Sequence, residues 1–139
     1  MSGVELTDEF SGILDAAMER MDDALDRATG RNAALVQVNT VKGIRNQTRD
    51  WPDIQQATKD RKGKSDILVD EGDLSASIEI NKRRDGIYDV GTNLEYARVH
   101  ELGFDAKGIP ARPYLQPALE ESGQEMQENW RDALEEIFA

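Results

Sequence analysis

The spacing of apolar residues changes along the chain, and this change constrains the fold more than any other feature of the sequence. At both ends apolar residues recur every three or four positions, which places them on one face of a helix. The amino-terminal stripe comprises Leu6, Phe10, Ile13, Leu14, Ala17, Met21, Leu25 and Ala28. The carboxy-terminal stripe comprises Leu115, Leu119, Met126, Trp130, Leu134 and Ile137. The sequence therefore predicts a helix at each end of the chain.

The middle of the chain has a period of two instead. Apolar residues there alternate with polar ones, at Leu74, Ala76, Ile78 and Ile80. This alternation predicts a strand with one buried face. The dipeptide Asp85-Gly86 then favours a tight turn, and residues 87–90 return as the partner strand. A β-hairpin is predicted here, with residues 67–69 as a further short strand before it.

Residues with special backbone preferences set the predicted helix ends. Gly30 is predicted to end the first helix, and a second helix follows from Asn32 onwards. Pro52 ends this second helix, because the residue before a proline disfavours helical geometry. Asn93 is predicted to cap a short helix that ends at Gly103.

The predicted fold class is α+β. A small antiparallel sheet built around the hairpin is packed against a long N-terminal helix and a C-terminal helix. At 139 residues the chain has the length of one ordinary domain. We expect a single domain over 1–139, with a helical part at 1–50, a core at 51–119 and the C-terminal helix at 117–139. So few strands leave exposed edges on which copies of the chain can pair.

Charge and composition exclude several functional classes. The chain has 28 acidic and 17 basic residues, a net charge of -11, which repels nucleic acid and anionic membranes at long range. Cysteine is absent, which removes disulfides, thiolate nucleophiles and cysteine-ligated metals. No apolar window is long enough to span a bilayer, and the first residues do not resemble a secretion signal. We expect neither membrane insertion nor secretion.

The acid excess comes with more arginine than lysine, 11 residues against 6. This combination is typical of proteins from a high-salt cytoplasm, where dense carboxylates keep a surface hydrated. An acidic partner-binding surface leaves the same trace, so a halophilic host and an acidic interface both stay open.

No arrangement of residues indicates catalysis or a cofactor. His100 and Glu101 are adjacent, so on a helix their side chains point apart and cannot easily serve one substrate atom. The zinc metalloprotease motif would need a second histidine at Phe104, and the glycines do not form a phosphate-binding loop. We therefore expect no enzyme, no catalytic residue, no metal and no cofactor.

Basic residues are concentrated in two short stretches. One is a loop that contains Lys59, Arg61, Lys62 and Lys64. The other is the hairpin tip, defined as Lys82, Arg83 and Arg84. The two stretches are either solvated loops, or they meet acidic helices of neighbouring copies or the phosphates of passing DNA.

Several pieces of sequence between Trp51 and Leu119 share their order and spacing with a known family. They are Trp51-Pro52 followed by Thr58-Lys59, then ILVDEGDLSASI at 67–78, VGTNLEYA at 90–97, HELG at 100–103 and IPARPYL at 109–115. This block, half of the chain, resembles the phage virion morphogenesis family, the tail-completion proteins of contractile-tailed phages, and more loosely the neck proteins of long-tailed phages. The chain departs from the family in its acidity and in the short loop at 104–108. The head side and the tail side of the joint therefore both stay open.

The resemblance implies a structural virion protein without catalysis or cofactors. In such families the protein forms a homo-oligomeric ring in the neck that joins the tail to the DNA-filled head. Six copies are expected because tail tubes resemble sixfold stacks, and twelve if the ring lies against a portal. Head-adaptor or portal-side proteins and tail-tube proteins are the expected neighbours, with non-specific DNA in the lumen left open and no membrane. The protein is expected to be made in the host cytoplasm and to reside at the head–tail joint.

The segment Ile109–Leu115 is predicted to take part in the ring contact. Arg112 lies between two prolines, which hold it on an extended backbone, so the segment is suited to present a side chain. Together with the hairpin, it gives these candidate interface residues: Arg112, Tyr114, Tyr96, His100, Lys82, Arg83 and Arg84. Alternatively, the segment packs as an edge strand and Arg112 caps a helix.

Two other functions are alternatives to the structural one. An acidic inhibitor that imitates DNA would bind a basic protein through the terminal helices, which carry 15 of the 28 acids. This function explains the charge but not the central block. A small hydrolase that uses His100 and Glu101 explains neither.

Overall fold

The structure is a computed structural model that describes residues 3–47, 49, 51–53 and 73–138. In chain order its elements are α1 (Gly3–Asn46), α2 (Asp73–Ser77), β1 (Glu79–Arg84), β2 (Ile87–Gly91), α3 (Ala97–Leu102), a 3-10 turn (Asp105–Lys107) and α4 (Leu115–Phe138). The predicted α+β class is confirmed, with a long N-terminal helix, a C-terminal helix and a two-stranded antiparallel hairpin. The strand expected at 67–69 and the basic loop at 59–64 lie outside the described residues.

The predicted break at Gly30 is wrong, because one continuous helix of 44 residues replaces the two that were expected. At 1.5 Å per residue, α1 is roughly 65 Å long. Gly30 lies inside it and gives room to the ring of Tyr88: a Cβ built at Gly30 would lie 3.3 Å from the Tyr88 hydroxyl oxygen. The glycine here serves a close approach of the hairpin, and it does not end the helix.

The strand predicted from Leu74 is also wrong at its start, because residues 73–77 form the short helix α2 and the strand begins at Glu79. Leu74 and Ile78 are both buried, and a spacing of four fits one face of a helix as well as one face of a strand. Ser75 decides between them: alternation would expose it, yet it is buried while Ala76 is exposed.

The hairpin is confirmed where it was predicted. β1 and β2 pair antiparallel, with Glu79 opposite Gly91 and Lys82 opposite Tyr88, and a bulge lies between Lys82 and Arg84. The turn at 85–86 uses Gly86 at a φ of 82°, a conformation that glycine adopts without strain.

The helices α1 and α4 run antiparallel and share a long seam. Residues early in α1 contact the end of α4, and residues late in α1 contact its start, as the hydrogen bonds Thr29–Trp130 and Asn39–Ser122 show. Small buried residues let the two backbones approach at the first of these places: Ala24, Ala28 and Ala133. The main core lies at the other end and consists of Ile44, Leu74, Ile78, Ala97 and Tyr114.

The short helix α3 begins at Ala97, and its N-cap residue is Tyr96, whose side chain makes no capping hydrogen bond. The predicted cap at Asn93 is therefore wrong. The predicted end of α3 at Gly103 is correct. The Gly103 N–H donates to the carbonyl oxygen of Val99 at 2.7 Å. Gly103 has a φ of 77° and a ψ of 172°, a region that only glycine occupies readily.

We predict that Gly103→Ala lowers the free energy of unfolding by about 3 kcal/mol, through backbone strain and steric overlap. A Cβ at this position would lie 2.8 Å from the backbone nitrogen of Ala111 and 3.0 Å from the carbonyl oxygen of Ile109. The matched control is Gly108→Ala, where φ is also positive but nothing lies within 4 Å of the added carbon; the expected loss there is about 1 kcal/mol. Urea unfolding measures both, and equal losses would contradict the role assigned to the Ala111 contact.

Candidate assembly surfaces

Four side-chain hydrogen bonds fix the register of α4 along α1. The positions of the surfaces on these helices follow from this register. Asn32 takes part in two of them: its Nδ2 donates to the carbonyl oxygen of Met126 at 3.2 Å, and its Oδ1 accepts from Asn129 at 2.8 Å. The other two join Asn39 Nδ2 to Ser122 Oγ at 2.9 Å and Trp130 Nε1 to Thr29 Oγ1 at 3.0 Å. Asn32 is almost fully buried, so a shift along the seam would leave polar atoms without partners.

The hairpin is held to the side of α1 by one carboxylate, that of Asp26. Its oxygens accept from Lys82 Nζ at 2.8 Å, from the Gly86 backbone N–H at 2.7 Å and from the Tyr88 hydroxyl at 3.2 Å. The Lys82 ammonium, followed by the Gly86 N–H, holds the pKa of Asp26 below its usual value. The same pairing raises the pKa of Lys82.

The three cations of the hairpin tip are engaged to different degrees. Lys82 pairs with Asp26 and Asp85, and Arg83 pairs with Asp89. Arg84 is exposed, and no carboxylate in the described part of the chain pairs with it. The tip therefore points a free guanidinium to solvent while Lys82 fixes its position on α1.

Arg112 is used inside the chain. Its side chain is buried, with Nε donating to the carbonyl oxygen of Pro52 and Nη2 to that of Asp53, each at 2.7 Å. Its backbone N–H donates to the carbonyl oxygen of His100 at 2.7 Å. Burial lowers the pKa of the guanidinium, against the opposing charge of Asp53. A direct subunit contact through Arg112 stays a prediction; in this structure the residue fixes the segment that carries it.

Tyr114 is likewise internal, with 1% of its surface exposed. Its hydroxyl donates to the carbonyl oxygen of Ala97 at 2.7 Å, which joins the start of α4 to the start of α3. Burial, with the charge of Glu101 as the next cause, raises the pKa of Tyr114 to about 12. Its expected role in a subunit contact also stays a prediction.

Tyr96 and His100 form an aromatic pair on α3. Their ring centroids are 5.4 Å apart at an interplanar angle of 82°, an edge-to-face arrangement. Tyr96 is exposed and His100 is partly buried. Near them lie the exposed apolar side chains of Leu102 and Phe104, so this end of the molecule offers an apolar surface.

Glu101 has a structural task that the sequence did not reveal. Its Oε1 accepts the backbone N–H groups of Tyr114 at 3.2 Å and Leu115 at 2.8 Å, and so caps the first turn of α4 from another helix. His100 contacts Tyr96 instead, so the two adjacent side chains have separate partners. The only signal in the sequence was the missing local cap, since Tyr114 precedes the helix where Ser, Thr or Asp would be typical.

The predicted site residues thus fall into two groups. Lys82, Arg83 and Arg84 lie together at the hairpin tip, beside the middle of α1. The remaining four, Arg112, Tyr114, Tyr96 and His100, lie where α3 meets the start of α4. Among the described residues there is no cluster of three or more metal-ligating side chains, and no described helix is long and apolar enough to cross a membrane.

The described part of the chain is thus a long helix with a second helix along it and a hairpin on its side. The model of the phage virion morphogenesis family matches residues 9–138, nearly the whole chain. The chain belongs to this family. Membership supports a structural role in a phage virion, in contact with other virion proteins.

The chain also shares a short stretch with one curated protein. An uncharacterized protein of Methanocaldococcus jannaschii is 60% identical over 30 residues, which is 22% of each chain. The chain thus matches less than a quarter of that relative's length. No solved structure matches.

We predict that Tyr114→Phe lowers the free energy of unfolding by about 1 to 2 kcal/mol, because the carbonyl of Ala97 loses its buried donor. The native chain should also lose stability as the pH rises from about 10 towards 12, since the unfolded phenol releases its proton before the buried one does. Unfolding measured across this pH range should show a smaller loss in Tyr114→Phe than in the native chain. A loss of equal size in both chains would contradict the role assigned to the buried phenol of Tyr114.

Glu101→Ala should cost about 1 to 2 kcal/mol, because two N–H groups at the start of α4 lose their acceptor. Glu95→Ala, an exposed neighbour in the preceding turn, should stay within about 0.5 kcal/mol of the native chain. Chemical unfolding followed by circular dichroism gives both values. A neutral result for Glu101→Ala would show that the cap does not stabilise α4.

Proposed function

We propose that this chain is a ring-forming subunit of the phage neck, a tail-completion or head–tail joining protein that connects the tail to the DNA-filled head. The observation that carries the proposal is the display of two unlike surfaces by a single chain. One is the cationic hairpin tip, and the other is the acidic outer face of the first part of α1, at residues 8–23. Contact between unlike surfaces of successive copies produces a closed ring when the rotation between them closes.

Six copies are proposed, because tail tubes resemble sixfold stacks, and twelve are proposed if the ring lies against a portal. The neighbours would be head-adaptor or portal-side proteins on one side and tail-tube proteins on the other. The hairpin tip, with three consecutive exposed cations, is the part of the described surface that we propose touches DNA in the lumen. The protein would be made in the host cytoplasm and incorporated at the joint.

The experiment is a deletion of the coding sequence in the phage, followed by electron microscopy of the lysate. We expect DNA-filled heads and tails that remain separate, and joining restored when the native chain is supplied in trans. Normal infectious particles from the deletion would contradict the proposal. Mass measurement of the protein extracted from native particles then gives the number of copies, six or twelve times the mass of one chain.

The exposed acids also favour a second candidate, an inhibitor that imitates DNA. The carboxylates of α4 at Glu121, Glu125, Glu128 and Asp132 are all exposed, and they form a negative face on a rigid rod. Such an inhibitor would bind a basic DNA-binding protein, and duplex DNA would compete for it. A halophilic host would explain the same acids; in that case the free energy of unfolding should rise steadily with added salt, as repulsion is screened.

A further inference from the structure

The first part of α1 extends beyond the rest of the described chain. Ile137 packs on the cluster of Ala24 and Ala28, and with Glu136 it lines a groove beside Arg20. The helix α4 ends one residue later, at Phe138. Residues 8–19 of α1, which we call the overhang, therefore have no other described helix beside them. The overhang is roughly 18 Å long.

The overhang continues the same apolar seam that α4 covers further along. Ala28 and Ala24 are buried in the seam, and steps of three or four residues lead back from Ala24 through Met21 and Ala17 to Leu14 and Phe10. A helix that is apolar along one face buries that face against another element. Here the seam runs on after its covering helix has ended.

The apolar side chains of the overhang are correspondingly exposed. Phe10 exposes 61% of its surface, Ile13 67% and Met18 60%, and Leu14 is exposed as well. Single exposed apolar residues are common, but a contiguous group of four large ones marks an interaction surface.

No other described element covers the overhang, since its large apolar side chains stay exposed. This surface is therefore open to a second copy of the chain.

Charge indicates what covers the seam. Every charged residue of the overhang is acidic, namely Asp8, Glu9, Asp15 and Glu19. A partner therefore needs an apolar surface with cations at its edge. Arginine and lysine supply both, because their hydrocarbon stems are apolar and their ends are charged.

The hairpin tip has this chemistry, with Lys82, Arg83, Arg84 and the adjacent exposed Ile87. In its own chain the tip is held at Asp26, which lies eleven residues and roughly 16 Å from Asp15 along the helix. The tip therefore cannot fold back on the overhang of its own chain, but the tip of a second copy can approach it. It supplies the cations that the overhang lacks, and Arg84 has no carboxylate partner among the described residues.

We infer that the overhang of one copy packs against the hairpin tip of the next copy, with Phe10, Leu14 and Met18 on the arginine and lysine stems. In this contact Asp15 and Glu19 face Arg83 and Arg84. The two surfaces differ, so the contact is head-to-tail and repeats around a ring. This inference rests on the proposed ring and names the contact that builds it.

Two charge-reversed variants test the pairing. The first carries Asp15→Lys with Glu19→Lys, and the second carries Arg83→Glu with Arg84→Glu; all four positions are exposed, so both should fold. We expect each variant alone to form at least tenfold fewer rings than the native chain, measured by native mass spectrometry. Mixed one to one, they should form rings again with the two chains in equal number, because each altered overhang then meets an oppositely altered tip. A variant with Glu125→Lys and Glu128→Lys, on α4, is the control and should assemble normally.

Disulfide trapping tests the same contact directly, since the native chain has no cysteine. Chains with Asp15→Cys and chains with Arg84→Cys are mixed, so any bond between the two kinds joins different copies. A disulfide needs Cα atoms within about 7 Å. We expect the mixed pair to bond, and Asp15→Cys mixed with Glu125→Cys not to bond. Bonds only between two Asp15→Cys chains would show that two overhangs pair with each other, and would overturn the inference.

The outcomes separate this contact from the proposed function. If native rings form and join heads to tails, while both charge-reversed variants do so equally well, the contact is wrong and the function stands. If deletion of the coding sequence leaves particles intact, the function itself is wrong. If the native chain assembles only within particles, the trapping is performed on particles that carry both cysteine variants, with the same expected and contradicting bonds.

Discussion

The antiparallel packing of α4 along α1 is the interaction on which the rest of the structure depends. Three alanines bring the helices close at Ala24, Ala28 and Ala133, and buried polar groups at Asn32 and Ser122 permit one register. Small apolar residues alone would allow the helices to slide, since they bury similar area in several positions. The buried amide and hydroxyl groups prevent this sliding, because any shift would leave them without hydrogen-bond partners.

Both ends of the molecule follow from this register. At one end, α4 stops short of the start of α1 and leaves an apolar seam uncovered. At the other end, Glu101 and Tyr114 tie the start of α4 to α3, and the side chain of Arg112 joins the preceding segment to Pro52; all three use backbone groups as partners. The hairpin lies between the two ends and is fixed to α1 by Asp26. The proposed ring would use distinct surfaces that this packing holds at set positions along α1.

The candidate site was partly predictable. The hairpin tip could be found from sequence because Asp85-Gly86 determines a turn locally and places its three cations at the tip. The internal use of Arg112 and Tyr114 could not be found, because the two prolines that flank the segment indicate an extended backbone but not what lies against it. Glu101 was missed for a related reason: it caps a different helix, at Tyr114 and Leu115, and capping across helices leaves no local pattern.

The sequence by itself determined the fold class, the two terminal helices, the hairpin and the absence of cysteine chemistry, since these depend on local periodicity, turn residues and composition. Contacts between distant residues decided the rest. Gly30 lies inside a helix, where Tyr88 packs over it, and residues 73–77 form a helical turn that buries Ser75 beside Leu74 and exposes Ala76. Likewise, the sequence predicts that the whole apolar stripe of α1 is buried. The tertiary structure shows which part of this stripe α4 covers and which part is exposed.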